Sequence, residues 1–214
     1  MEITYLGHSA FKIKGKSISI ITDPYSSDKV GLKFPKSEAE IVTVSHHHKD
    51  HDFVESVAGI KKVIDGPGEY EIAGVSIIGI SSFHDDKKGA ERGKNTIYVI
   101  EIDNMRLVHL GDLGHKLDET QIKEIGTIDI AFIPVGGTYT IDAKVAVNVV
   151  NQIGASIIIP MHYGVVGLTL SEKLDPVDTF LTESGLRVEN LPKLNIKEGD
   201  ITSDEKHVVI LEKK

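Results

Sequence analysis

Apolar residues along this chain fall into short runs broken by Gly, Pro, Asn and Asp, and most of the runs have strand length. Residues 2–6 and 10–14, a Gly15-Lys16 turn and residues 17–22 predict a three-stranded meander. Further strands are predicted over 40–44, 75–83 and 96–102. Asp103-Asn104 then reads as a tight turn into a strand over 105–110, a hairpin signal. The rhythm changes in the second part. Residues 128–133 look like a buried strand closed by Pro134 and Gly136-Gly137. Asp142 is placed to cap a helix in which Val145/Val149 and Ala146/Val150/Ile153 recur at helical spacing up to Gly154. With a strand over 156–159, this stretch is a strand–helix–strand unit. A further helix is predicted over 170–183 and a closing strand over 206–212. No repeat, linker or low-complexity tract interrupts the pattern, so residues 1–214 read as one α/β domain made of two packed halves.

Composition narrows the chemistry. There are ten His and no Cys, which excludes disulfides, a thiol nucleophile and thiolate metal sites; a metal centre must use His with Asp or Glu. The 32 acidic and 24 basic residues give a formal net charge of −8, which argues against a protein that coats nucleic acid. No apolar run approaches the roughly 20 residues that span a bilayer. The opening MEITYLGHSAF has an early acid and no apolar signal core. The expectation is a cytoplasmic protein with a small-molecule substrate and neither a nucleic acid nor a membrane as partner. A homo-oligomer is compatible with all of this.

Four of the ten histidines fall within Ser45-His46-His47-His48-Lys49-Asp50-His51, directly after the strand over 40–44. A solvated polar loop has this composition too. Its attachment to a rigid strand and its mixture of imidazole with carboxylate favour a divalent metal site. His46 and His48 point the same way if strand geometry continues, and His47 points away. Asp50 and His51 follow a turn and are placed to face a second ion. Asp52 with Glu55 resembles a capping box that starts a helix at Phe53. Other predicted strands end at His84, at Asp112 and at His162. Each alone reads equally as a loop histidine, a turn aspartate or a strand-end cap. Together they place further ligands over one edge of an open α/β sheet.

The run SHHHKDH, with His84, Asp112 and His162 following in order, resembles the H-x-H-x-D-H signature of the metallo-β-lactamase superfamily. The opening Leu6-Gly7-His8-Ser9-Ala10-Phe11, with Thr22-Asp23-Pro24, is similar more narrowly to the ascorbate-6-phosphate lactonase-like hydrolases. It is similar more distantly to N-acyl-phosphatidylethanolamine phospholipase D. The resemblance implies an αβ/βα four-layer sandwich and two divalent ions, with zinc the first expectation and manganese or iron compatible. It implies that His46, His48 and His84 hold one ion, that Asp50, His51 and His162 hold the other, and that Asp112 bridges them. Asp23 would orient a ligand from behind, and His8 and His115 would border the pocket, with His115 protonating the leaving group. Asp50 and Asp112 would also act at the reacting atoms. The implied reaction is attack by a metal-activated hydroxide on a small ester or lactone. The charged loop after His84 offers Arg92 as a fork donor to an anionic, phosphorylated substrate.

Two alternatives remain. A phosphodiesterase or nuclease of the same superfamily is disfavoured by the net charge. It is also disfavoured by the short interval of 49 residues between Asp112 and His162, which leaves no room for an inserted domain. A non-catalytic metal-binding module is disfavoured by the intact ligand set. His109, inside an apolar strand, reads as a core residue, and His207 as a solvated one.

Overall fold

Alternation along the strands decides how the layers stack. In the strand Lys94–Ile102, Tyr98, Ile100 and Ile102 face one side, Ile97 and Val99 face the other, and all five are buried. A strand apolar on both faces has to lie between two layers. The computed structural model, which describes residues 1–201 and 205–214, shows both. Tyr98, Ile100 and Ile102 meet Ile3, Phe11, Ile13 and Ile20 of a second sheet. Ile97 and Val99 pack with Val149, Val150 and Ile153 of the helix Ala143–Ile153 and with Phe180 of the helix Val177–Ser184. Each such side chain contributes roughly 1.5–3 kcal/mol when it leaves water.

The smaller sheet has the order Leu194–Asn195, Glu2–Gly7, Ala10–Lys14, Ser19–Thr22, Ile41–Thr43, Lys62–Ile64. The larger has the order Arg187–Leu191, His207–Leu211, Ile157–Met161, Ile130–Pro134, Met105–His109, Lys94–Ile102, Val75–Phe83, Gly68–Ile72. The two sheets lie face to face between outer layers, the sandwich expected from the sequence. The outer layer on the smaller sheet is thin. Its apolar face, including Leu6, Ile21 and Val42, is covered by Tyr25, Val30, Leu32 and Phe34 from the short helix Ser27–Val30 and its flanking loops.

Pairing directions then fix where the functional residues collect. In the smaller sheet the strand Glu2–Gly7 runs antiparallel to Ala10–Lys14, which runs antiparallel to Ser19–Thr22, and Ser19–Thr22 is parallel to Ile41–Thr43. In the larger sheet Met105–His109, Ile130–Pro134 and Ile157–Met161 are mutually parallel, and Val75–Phe83 shares their direction across the antiparallel Lys94–Ile102. Strands of each sheet therefore end together on one side.

Several local expectations hold. Asp103 and Asn104 both have positive φ (53° and 63°), the left-handed pair that a two-residue hairpin turn needs. The Asp142 side chain accepts from the Val145 N–H, and Gly154 ends the helix in the left-handed conformation. Three expectations fail. The helix expected over 170–183 forms only as Val177–Ser184, because Pro176 fixes the start and Leu174 is buried before it. Asp52 does not cap a helix. Its carboxylate lies 3.6 Å from Lys49 Nζ and 3.7 Å from His47 Nδ1, and only a three-residue 3-10 turn, Val54–Ser56, follows. His207, expected to be solvated, is partly buried in its strand, with Nε2 3.9 Å from Glu189. Among the described residues no helix is long and apolar enough to cross a membrane.

Candidate metal centre

The strand ends carry the chemistry. His8 follows Glu2–Gly7, Asp23 follows Ser19–Thr22, and the window 46–51 lies just beyond Ile41–Thr43. From the other sheet come His84 after Val75–Phe83, Asp112 beyond Met105–His109 and His162 after Ile157–Met161. Three of these residues have left-handed backbone: His8 at φ 55°, Asp23 at 41° and His162 at 52°. Each costs about 1–2 kcal/mol relative to ordinary backbone, and such strain collects where a side chain has to be aimed.

Their side chains converge. Ligand atoms of His46, His48 and His84 lie within 4.8 Å of one another, as do those of His46, His51 and Asp112, and those of His8, Asp50, His51 and His162. Asp112 Oδ2 is central, 3.2 Å from His51 Nε2, 3.2 Å from His162 Nε2, 3.3 Å from His84 Nε2 and 3.8 Å from His46 Nε2. Two donors on one tetrahedral zinc, each about 2.0–2.1 Å from it, stand about 3.3 Å apart, so these spacings are those of ligands around a shared ion. His46 Nε2, His51 Nε2 and His162 Nε2, all of which face Asp112 Oδ2, are buried without a hydrogen-bond partner, as is Asp112 Oδ1. Buried unpaired polar atoms cost about 1–3 kcal/mol each, and a cation is the partner this donor set fits.

Behind the donors a hydrogen-bond network aims them. Asp23, fully buried, accepts from Ser45 N (2.8 Å), Ser45 Oγ (2.6 Å) and His51 Nδ1 (2.9 Å). Because Ser45 Oγ spends its proton on Asp23, it accepts from His46 Nδ1 at 3.0 Å. One carboxylate thus turns the Nε2 lone pairs of His46 and His51 inward together. Asn95 Oδ1 accepts from the Asp112 N–H (2.9 Å) while its amide group donates to Leu110 O and Ser82 Oγ. At Gly111, φ 55°, a Cβ would lie 2.3 Å from Asn95 Oδ1, so glycine is required for Asp112 to reach its place. His109 is the buried core residue expected of it: Nδ1 accepts from Gly111 N and Nε2 donates to Ser9 O at 2.9 Å.

Electrostatics sort the donors by protonation. Burial raises the Asp112 pKa, but His162 and His51 override it and hold the carboxyl well below the usual range. Asp50 is treated alike, with burial raising it and His51 and His8 more than offsetting that. Burial opposes charge on His51, yet Asp112 and Asp50 raise its pKa well above that of free imidazole. His46 is pushed well below the usual range by burial and by His51. His8 is taken down to about 4 by burial and His162, with Asp50 partly offsetting. At neutral pH the centre therefore presents ionised carboxylates, neutral His46 and His8, and a protonated His51 whose Nε2 proton an arriving ion would displace.

The donors floor a cleft of about 450 Å³ whose walls include Lys29, Lys49, Glu91, Arg92, Tyr139 and Leu170. Arg92 lines this cleft and its neighbour. Its guanidinium donates to Thr138 O (3.3 Å) and lies 5.8 Å from the centre of the Tyr139 ring. The loop that carries it is not merely solvated. Asp85, 3% exposed, accepts from the backbone N–H groups of Lys87, Gly89, Glu91 and Arg92 at 2.7–2.9 Å. That clamp sets the Arg92 position, and an Asp directly after a ligand and before a Gly-containing loop was its only signal in the sequence. Tyr139 was not foreseen. Its hydroxyl meets Ser171 Oγ (2.7 Å), and its ring stands edge-on to His162 at 6.4 Å.

Two expected pocket residues lie elsewhere. His115 faces a neighbouring cavity lined by Asp85, Thr138 and Asp142 rather than the ligand-floored cleft. Its Nε2 accepts from the Phe83 N–H (3.2 Å) and Nδ1 donates to Lys116 O (2.7 Å), so both nitrogens serve the backbone and neither is free to protonate a leaving group. His8 does not border the cleft either. It is 1% exposed and sits beneath the ligands, its ring centre 4.3 Å from that of His162. His47 points outward with 67% of its side chain exposed.

The chain is similar to several known proteins. Residues 2–162 match the β-lactamase superfamily domain. The chain is 30% identical over 190 residues to a UPF0173 metal-dependent hydrolase of Thermococcus kodakarensis, covering 76% of this chain and 84% of that one. A crystal structure from Thermotoga maritima, assigned to the Zn-dependent hydrolases of the metallo-β-lactamase superfamily, aligns with a TM-score of 0.80 and 37% identity over 100% of this chain and 99% of that chain. A protein of Parabacteroides distasonis assigned as a metal-dependent hydrolase shares the fold, with a TM-score of 0.67 and 22% identity over 99% and 93% of the two chains.

Proposed function

Since this chain belongs to the metallo-β-lactamase superfamily as a metal-dependent hydrolase, we propose that it uses two divalent ions to hydrolyse a small ester or lactone bearing an anionic group such as a phosphate. His46, His48 and His84 would hold one ion, Asp50, His51 and His162 the other, and Asp112 would reach both. The observation that carries this reading is the central position of Asp112 Oδ2, 3.2–3.8 Å from histidines of both groups. Zinc suits the nitrogen and oxygen donors, and manganese or iron fits the same set. When bound, such ions polarise a carbonyl or phosphoryl oxygen and make water a nucleophile at neutral pH.

The chain's own residues supply the rest. Asp50 keeps 24% of its side chain exposed and lines the cleft, so its ionised carboxylate can orient attacking water as an acceptor. With Asp50 and Asp112 given to the ions, Lys29, Lys49 and Arg92 outnumber Glu91 among the remaining charged residues of the cleft, in a protein whose net charge is −8, which favours an anionic substrate at this place. Arg92 presents a planar fork that matches phosphate or carboxylate. Tyr139 and Leu170 give the non-ionic part of the substrate an apolar wall.

A panel of lactones, phosphorylated esters and phosphodiesters, assayed with zinc- and manganese-loaded protein, tests this reading. Turnover confined to phosphodiesters, or none with two ions bound, contradicts it. Arg92→Ala is expected to raise KM for a phosphorylated ester about tenfold, near 1.4 kcal/mol, the low end for a charge-assisted hydrogen bond at a partly exposed site. Metal content and the KM of an uncharged analogue should stay unchanged. An equal rise for both substrates would remove Arg92 from anion recognition.

A further inference from the structure

The sharp turn after the first strand holds a buried histidine in a conformation that the ligand set assigned above does not explain. His8 has φ 55°, next to Gly7 at 114°, and its carbonyl is pinned from two sides by the Tyr5 hydroxyl (3.0 Å) and the His162 N–H (3.0 Å). The turn is therefore locked to the strand end that carries His162. Neither ring nitrogen of His8 has a hydrogen-bond partner, although both are buried. Leaving them so costs about 1–3 kcal/mol each, in addition to the strained backbone.

His8 Nε2 lies 3.4 Å from Asp50 Oδ2 without forming a hydrogen bond to it. That separation is one that two donors sharing an ion can adopt. His51 Nε2 stands in the same relation to Asp50, 3.7 Å away and likewise unpaired. His8, Asp50, His51 and His162 form one group whose ligand atoms all lie within 4.8 Å of one another. We propose that His8 is a further protein ligand, beside the shared Asp112, of the ion held by Asp50, His51 and His162, an assignment that rests on the two-metal reading above. The two positions are then unequal. The His46/His48/His84 position draws on three histidines and Asp112, with His48 exposed to the cleft. The other is enclosed by four donors besides Asp112, so its ion binds more tightly and exchanges more slowly.

The test is titration of metal-free protein with Co(II), followed by visible absorption and by ion counting in native mass spectrometry. Wild-type protein should take up two ions, and His8→Ala should weaken one of them by more than about 100-fold, beyond the loss expected for an outer hydrogen-bond partner. The remaining absorption bands should be those of the His46/His48/His84 position. Two ions bound by His8→Ala with wild-type affinity and spectrum would overturn the proposal. A weakened ion with an unchanged spectrum would overturn it too, making His8 a positioning residue. If wild-type protein takes up a single ion, the two-metal reading fails, and His8 is judged by whether His8→Ala alters that ion's spectrum. Should the variant not fold, wild-type protein labelled with ¹⁵N-histidine decides: zinc should shift the ring nitrogens of His8 together with those of the other five ligand histidines, and an unshifted His8 rejects it.

Discussion

Replacing Asp112 with alanine should lower kcat/KM by on the order of 10³-fold or more, the scale of losing a group that stabilises charge in the transition state. Protein-bound metal should fall below that of wild type at the same time. Asp112 Oδ2 is within 3.8 Å of His46, His51, His84 and His162, so one substitution takes a donor from both groups. It also removes a negative charge from a place where two dications would otherwise repel each other across a short gap. The fold should survive. The turn is held by the Asp112 backbone N–H on Asn95, and Oδ1 of the side chain has no hydrogen-bond partner to lose. Kinetics with elemental analysis on the purified variant check this. Wild-type metal content with activity within tenfold would show that Asp112 bridges nothing.

Asp23→Ala should be the most destabilising single change near the centre, and it acts without touching substrate. The substitution leaves Ser45 N, Ser45 Oγ and His51 Nδ1 without an acceptor in a fully buried place. Removing one partner of a buried charged network costs about 3–5 kcal/mol, which in a chain of this size corresponds to a fall in Tm of roughly 6–20 °C. Metal affinity should fall about 10–100-fold, because His46 and His51 lose the groups that orient them. The two effects separate under excess zinc, which should restore part of the activity and part of the Tm by mass action. Thermal unfolding with and without zinc measures both. A variant that keeps wild-type Tm and affinity would reduce Asp23 to an ordinary turn residue.

Much of this centre is legible in the sequence because its parts are local. The run from His46 to His51 sits beside a strand, and His84, Asp112 and His162 each lie where an apolar run stops. The Asp103-Asn104 hairpin and the Asp142 cap are likewise written within a few residues. What failed to show has several causes. Asp52 and Glu55 have capping-box spacing, but Lys49 and His47 draw the Asp52 carboxylate away. The helix Glu119–Ile125 is short and carries a weak apolar stripe; its signal was the Asp118/Gln121 box. His115 sits three residues from a ligand, yet the backbone of Phe83, on another strand, claims its Nε2. His8 is the reverse case. Its sequence context suggested a pocket wall, and pairing of the two sheets buries it under His162. Asp85, Asn95 and Tyr139 matter through contacts that only the folded loops create.

Anomalous diffraction at the zinc edge, on crystals of protein loaded with zinc, decides whether side chains from both sheets hold two ions that share Asp112. Two peaks are expected, one ligated by His46, His48 and His84 and the other by Asp50, His51 and His162, with Asp112 in contact with both. A single peak, or two peaks of which one lies away from these residues, would contradict that arrangement.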